Sequence, residues 1–313
     1  MGSQGLGYML AVAQAILYAS MGVFAKFLYN TGLNPQQVTI MRFVPAAVLL
    51  AIVIVVLRKG KVFSRTPMVY VQGIFFAASA YLYMLTVDEL TAGLTTVVFY
   101  SYPAVVAILA VLVFHERFTL RTLLALVLAL AGIVFISGIL SADTIQLSPL
   151  GLVYGIGSCL AFAVYSLLGQ ATVKKEGQLT ISFTMSAISS LIMLVLYPAQ
   201  FPTLLQMDAM QWIICIVMAI LCTALPIPML LAAIKRIGAT KASLIGISET
   251  PFSLLLAFLV LGEVLTAFQG IGSALIVASI VVTTLPSGKG SSGDGGAAGG
   301  DGAADGVGRD DCR

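Results

Sequence analysis

The chain has 313 residues, of which 59% are hydrophobic and 9% charged, with a formal net charge of +3 and a mean hydropathy of +1.05. A water-soluble domain carries roughly 25% charged residues, so this chain cannot cover a globule facing water, and its outer surface must meet lipid. The small net charge gives no footing for nucleic-acid binding. Cys159, Cys215 and Cys222 lie in apolar stretches, with Cys312 near the C-terminus and no C-x-x-C or Cys/His spacing. That pattern reads as small packing residues, without a metal or disulfide framework. No basic region precedes the first apolar run, so it is expected to stay as a helix rather than be cleaved.

A membrane-crossing helix needs about 20 mostly apolar residues. Ten such runs follow in order: 8–29, 35–57, 68–87, 91–114, 119–138, 149–173, 178–198, 209–234, 239–260 and 265–285. The predicted fold class is therefore an all-α integral membrane protein of ten transmembrane helices. Punctuation such as Asn34-Pro35, Thr66-Pro67, Ser148-Pro149 and Gly238 falls between the runs. None alternates as strands of a transmembrane barrel would. Residues 286–313 are Gly, Ala, Ser and Asp with little to bury, a composition expected of a disordered tail.

Basic residues concentrate in cytoplasmic loops. Arg58, Lys59, Lys61 and Arg65 follow the second run, Arg117 and Arg121 the fourth, Lys174 and Lys175 the sixth, and Lys235, Arg236 and Lys241 the eighth. The alternate loops carry Asp88, Glu89, Asp143, Asp208 and Glu263 and no Lys or Arg. The asymmetry places both termini in the cytoplasm.

The two halves align at an offset of 147 residues: Tyr18 falls on Tyr165, Gly22 on Gly169, Ala92 on Ala239 and Glu116 on Glu263. The expected units are residues 7–140 and 149–285. Five helices per half is an odd number, so the repeat must invert. In agreement, the acidic hairpin Asp88-Glu89 falls on the basic hairpin Lys235-Arg236. Inverted repeats are a recurrent construction of secondary transporters, with the solute site near mid-membrane between the halves.

The fourth and fifth runs read Ser101-Tyr102-Pro103, then Phe114-His115-Glu116-Arg117-Phe118-Thr119 and Gly132. Their repeat mates read Ser248-Glu249-Thr250-Pro251, then Leu261-Gly262-Glu263-Val264-Leu265-Thr266 and Gly270, Gly272. The first two runs carry Tyr18-Ala19-Ser20-Met21-Gly22, Pro35 and Met41-Arg42-Phe43. Over residues 7–285 this resembles the drug/metabolite transporter superfamily, in its two-domain EamA type. His115 stands where the pattern has Gly, Thr250 where it has Pro, and Ser279 where it has Gly. The resemblance implies a secondary transporter of the cell (inner) membrane, an exporter or exchanger of an amino acid or similar metabolite, with no cofactor. Relatives in plastids and Golgi carry phosphorylated sugars and nucleotide sugars.

An ionisable residue inside a membrane helix is a functional-site hypothesis by default. Glu249, near the middle of the ninth run, could hold a proton or a cation. Pro251, two residues on, frees a backbone carbonyl. Arg42 and Lys26 could bind a carboxylate or phosphate, although Lys26 is also placed to snorkel to the headgroups. Tyr18, Tyr81, Tyr83, Tyr100, Tyr165 and above all Tyr102, the mate of Glu249, are candidates to line a solute cavity. Pro103 and Pro251 interrupt corresponding helices, the pattern that marks a transport site. Pro226 and Pro228 read as a local kink. Gly151 and Gly155 allow close helix packing, within the fold or in a homodimer. Glu116 and Glu263 are expected to cap the helices that follow them, and His115 to have no special role. The competing readings are a passive channel or facilitator and a membrane-embedded enzyme. Neither H-E-x-x-H nor G-x-S-x-G nor an intramembrane aspartate pair occurs, so no enzymatic activity is expected.

Overall fold

The computed structural model describes residues 3–58, 61–116, 118–141 and 148–285. The segment 286–313, along with Lys59, Arg117 and Asp143, lies outside the described residues. Ten helical crossings follow in order. α1 is Ser3–Ala19 continued by Met21–Asn30, α2 is Pro35–Leu57 and α3 is Pro67–Glu89. α4 is Ala92–Phe99 and Tyr102–Phe114, and α5 is Leu120–Ile136. α6 is Pro149–Thr172 and α7 is Gln178–Leu196. α8 runs from Ala209–Ala219 through a π-turn to Pro226–Ile237. α9 is Ala239–Gly246 and Glu249–Leu261, and α10 is Ala267–Thr284. Among the described residues nine spans are long and apolar enough to cross a bilayer, and α5 is a shorter apolar helix.

The starts are written locally. Pro35, Pro67 and Pro149 occupy first turns, where a missing N–H costs nothing. The side chains of Asn34, Thr119, Ser148, Asp208 and Thr266 cap the helices that follow them. Val56 (71% exposed), Leu124, Val153, Val195 and Leu259 belong to an outer apolar belt. Such a belt suits lipid and would be an aggregation surface in water.

The packing exchanges partners between halves. α3 lies mainly on α6, and its mate α8 lies on α1; α2 lies on α7, and α5 on α10. This is the contact pattern of two inverted five-helix repeats. The α5–α10 pair meets at Gly132 and Gly272, where a Cβ on either would come within 2.8 Å of the other's carbonyl oxygen. Ser279, the repeat mate of Gly132, instead donates its hydroxyl to the Ala125 carbonyl at 2.7 Å. Gly151 and Gly155 pack inside the fold: a Cβ at Gly151 would strike Glu89, and one at Gly155 would strike Val98. The pair serves the fit of α6 on α3 and α4.

His115 closes α4 at φ 54°, and its mate Gly262 closes α9 at φ 70°. The corner needs a left-handed residue, and half one fills it with one that carries a Cβ. The expected capping role of Glu116 and Glu263 is not what forms. Thr119 and Thr266, three residues later, take those caps, and the glutamates reach sideways to other helices.

The ends with Arg58, Lys61, Arg65, Arg121, Lys174, Lys175, Lys235, Arg236 and Lys241 form one face, here called the basic face. Asp88, Glu89, Asp208 and Glu263 lie at the opposite, acidic face. Gln4 and Leu285 line one hollow with Arg121 and Lys241, so both ends of the described chain are at the basic face.

Candidate functional site

Four helices are interrupted at mid-depth. α4 breaks at Tyr100-Ser101 and α9 at Ile247-Ser248, positions related by the repeat offset. The cause is the same in both. Ser101 Oγ donates to the Val98 carbonyl at 2.6 Å, and Ser248 Oγ to the Ile245 carbonyl at 2.7 Å. A serine hydroxyl that takes a carbonyl of the preceding turn competes with the helix ladder. Pro103 and Pro251 follow at the second and third residues of the resumed helices, where no helical N–H is required. The breaks therefore end two and three residues before the prolines. α1 breaks at Ser20, whose hydroxyl donates to the Leu17 carbonyl at 2.7 Å. Its mate, Leu167, has no hydroxyl, and α6 runs unbroken. In α8 the expected kink is a π-turn at Ile220–Ala224, just ahead of Pro226.

These interruptions meet around two charges. Arg42, on α2, is 8% exposed. Its Nε donates to Thr223 Oγ1 of the π-turn at 3.1 Å, and its Nη2 donates to Tyr18 OH at 2.9 Å. The guanidinium lies over the Tyr18 ring, 5.2 Å from its centroid. Opposite stands Glu249, the first residue after the α9 break. It remains partly accessible inside the bundle, as do Tyr18, Tyr83 and Tyr100. Partly accessible polar groups gathered inside a bundle mark a candidate solute hollow. Tyr100 donates its hydroxyl to the Glu249 carboxylate, and Tyr83, Tyr102 and Tyr18 are within electrostatic reach of it. Arg42 and Glu249 feel one another, but no ion pair joins them.

Aromatic rings connect the two charges. Tyr83 meets Phe99 at 5.0 Å, Phe99 meets Phe162 at 5.5 Å, Phe162 meets Tyr165 at 5.1 Å, Tyr165 meets Phe76 at 4.8 Å and Phe76 meets Phe43 at 5.5 Å. Tyr102 packs on Phe162 at 4.6 Å. The buried Tyr165 hydroxyl has no hydrogen-bond partner, a cost of about 1–3 kcal/mol that a polar partner would relieve. Of the sequence candidates, Glu249, Arg42, Tyr18, Tyr83, Tyr100, Tyr102 and Tyr165 thus come together. Lys26 does not join them. It extends to the acidic face and pairs with Glu263 at 2.7 Å, with both side chains about half exposed. The residues that sequence reasoning missed are Phe99, Phe162 and Thr223. Ser101 and Pro226 were the available signals for the break and the π-turn that present the first and last of these.

The two ends of the hollow differ. Toward the basic face, Gln170 on α6 donates to Glu116 Oε1 at 2.7 Å, and Thr240 on α9 donates to Glu116 Oε2 at 3.1 Å. Gln170 also accepts from the Ala239 N–H. Tyr102 OH donates to the Ser243 carbonyl at 3.4 Å. All residues of Ala239–Gly246 except Lys241 are buried. In the mate segment, Ala92–Phe99, only Leu94 and Thr95 are buried, and Glu263 holds Lys26 in place of a hairpin. The segment toward the basic face is thus more tightly held than its mate toward the acidic face.

A ten-crossing bundle of inverted halves, with paired helix breaks around opposite charges at mid-depth, has the build of a multi-pass membrane transporter. The comparisons narrow this to a family. The model of the EamA-like transporter family matches residues 5–138 and again 149–285, and the chain belongs to that family, of the drug/metabolite transporter type. An uncharacterized inner membrane transporter of Salmonella typhimurium, YicL, is 24% identical over 92% of this chain and 98% of its own length. An uncharacterized transporter of Archaeoglobus fulgidus is 26% identical over 87% and 93%. A Rickettsia prowazekii protein named as an S-adenosylmethionine uptake transporter is 26% identical over 55% and 57%. A solved crystal structure with 15% identity overlays at a TM-score of 0.77, covering 90% of this chain and 97% of that one, which establishes the shared fold.

Proposed function

We propose that this protein exports or exchanges a small solute that carries both a carboxylate and an amine, an amino acid or a close relative, by alternating access across the inner membrane with the basic face in the cytoplasm. The observation that carries this reading is the separation of Arg42 and Glu249. Two opposite charges that share a hollow would gain by pairing. Their side chains are instead held apart, Arg42 by Tyr18 and Thr223 and Glu249 by Tyr100. A zwitterion between them satisfies both at once: its carboxylate meets the guanidinium, its ammonium meets the carboxylate, and its side chain lies on the rings of Phe99 and Phe162. The Rickettsia relative is named for a substrate that itself bears an α-amino acid head. The more tightly held segment toward the basic face and its looser mate toward the acidic face support an outward-open state. Repeat symmetry supplies the other state, in which Glu263 holds the 91–93 hairpin and Glu116 releases the 238–240 hairpin.

The test is a thermal-shift panel on the purified full chain. Each amino acid is compared with its amide, which lacks the carboxylate, and its N-acetyl derivative, which lacks the ammonium. The expected result is stabilisation by at least one free amino acid and by neither of its derivatives. Equal stabilisation by the amide and the N-acetyl form would overturn the two-charge reading.

A further inference from the structure

A second polar hollow, of about 460 Å³, lies at the basic face, where α2 ends and α3 and α7 begin. Lys61, Arg65 and Lys175 line it from two loops, one in each half. A carboxylate also lines it, that of Glu176, but this group is turned into the opposite wall. Glu176 Oε1 accepts from Ser64 Oγ at 2.7 Å, the Arg65 N–H at 2.9 Å, the Thr66 N–H at 3.0 Å and Thr66 Oγ1 at 2.8 Å. Among the described residues no ion pair or side-chain hydrogen bond holds the three cations, and they line the hollow together. The next helix, α7, starts from Gly177, which offers no side-chain cap, so its first N–H groups border the same space.

The repeat provides an internal control. Counted from the helix caps, Arg65 and Lys61 before Thr66 fall on Met207 and Thr203 before Asp208, and Lys175 before Gly177 falls on Gly32 before Asn34. The corresponding corner of the acidic face is closed by Gln211 donating to the Thr31 carbonyl at 3.2 Å, with none of the three cations. The corner can therefore be built without them. The general excess of basic residues on one face sets topology, but it does not require three of them, from two separate loops, to converge on one hollow. Phe63 stands between Lys61 and Arg65 in the same connection, is 59% exposed and lies edge-on to Phe183 at 5.1 Å. The basic lining and an exposed aromatic ring thus share one loop.

We infer that Lys61, Arg65 and Lys175 form a binding site for the phosphate of an anionic phospholipid, which joins the two halves at this face. Basic pockets between transmembrane helices bind such headgroups. The exposed Phe63 between Lys61 and Arg65 favours a lipid over a soluble phosphate, because only a lipid brings acyl chains to it. The inference is independent of what the central site carries.

The test is native mass spectrometry and thermal unfolding of the full chain in neutral detergent with added phosphatidylglycerol or phosphatidylcholine. The expected result is preferential retention of phosphatidylglycerol and a higher unfolding temperature with it. Each basic residue near an anionic surface contributes about fivefold in affinity, so Lys61→Gln, Arg65→Gln or Lys175→Gln should each lose about that factor, and the triple variant about a hundredfold. Phosphatidylcholine retention should not change. If the triple variant does not fold, the three single variants carry the test. Wild-type phosphatidylglycerol affinity in the variants would overturn the site. So would an equal loss in Lys235→Gln/Arg236→Gln, which would indicate diffuse surface charge. Equal stabilisation by inorganic phosphate alone would overturn the lipid assignment.

Discussion

Replacing Glu116 by alanine should open the basic face. Glu116 accepts two side-chain hydrogen bonds, from Gln170 at 2.7 Å and Thr240 at 3.1 Å, which tie α4 to α6 and α9. Interhelical hydrogen bonds in membrane proteins average about 0.6 kcal/mol, and bonds to a charged group about 1.5–3 kcal/mol. The 2.7 Å bond belongs with the stronger class and the 3.1 Å bond with the weaker. The bond from Ala239 N–H to Gln170 survives the substitution, so the latch loses about 2 kcal/mol, or ~30-fold in its closed-to-open ratio. The assay uses a cysteine in place of Ser243, 5% exposed and between the latch and Glu249, in a chain whose four native cysteines are replaced. A membrane-impermeant maleimide is applied from the basic face. Labelling should accelerate by about that factor in Glu116→Ala and by less in Glu116→Gln, which keeps one acceptor oxygen. An unchanged rate in a folded Glu116→Ala protein would refute the latch.

Glu249→Gln should abolish solute-coupled flux while the variant melts as the wild type does; undiminished flux would remove Glu249 from the mechanism. Arg42→Gln should weaken binding of carboxylate-bearing solutes by about 2–5 kcal/mol, the cost of truncating one side of a buried charge pair, and leave the unfolding temperature of the solute-free protein unchanged. A solute-free protein that melts far below wild type would make Arg42 structural. Lys26→Ala should change stability by less than about 1 kcal/mol, because both partners of its ion pair are half exposed; a larger loss by thermal unfolding would contradict that. For Glu176, burial raises the carboxyl pKa, but hydrogen bonds from Ser64, Thr66 and the 65–66 backbone outweigh it and hold the pKa below the usual 4.5. A lowered folded value means that the stabilisation is present above the unfolded pKa and is lost as pH falls through the folded one. The stability gap between wild type and Glu176→Gln should thus be full at neutral pH and close in acid. A gap that widened toward acid would reverse the argument.

How much of this was legible follows from where the constraints lie. Helix starts at Pro35, Pro67 and Pro149 and caps at Asn34, Ser148 and Asp208 are local chemistry, and the sequence displays them. The repeat offset, found from Tyr18/Tyr165 and Glu116/Glu263, predicts equivalence to the residue: the breaks at Ser101 and Ser248 obey it. The break at Ser20 was not legible, because a serine beside Met21 and Gly22 is compatible with an unbroken helix. Nor was the use of Phe99 and Phe162. A helix apolar all round does not announce which face lines a hollow. Lys26 and Glu263 are 237 positions apart, and only the tertiary fold brings them together. The glutamates at the corners looked like caps because the spacing to a following helix was right. Thr119 and Thr266, nearer to the first turns, took that role and freed the carboxylates for contacts between helices.

Counterflow in proteoliposomes tests the central claim most directly, with the full chain reconstituted and an amino acid that passes the thermal-shift panel. The account predicts saturable uptake of labelled solute that accelerates when unlabelled solute is loaded inside, and that disappears in Arg42→Gln and Glu249→Gln. Uptake that rises linearly with concentration, ignores internal solute and persists in both variants would mean that the hollow between Arg42 and Glu249 is not the path.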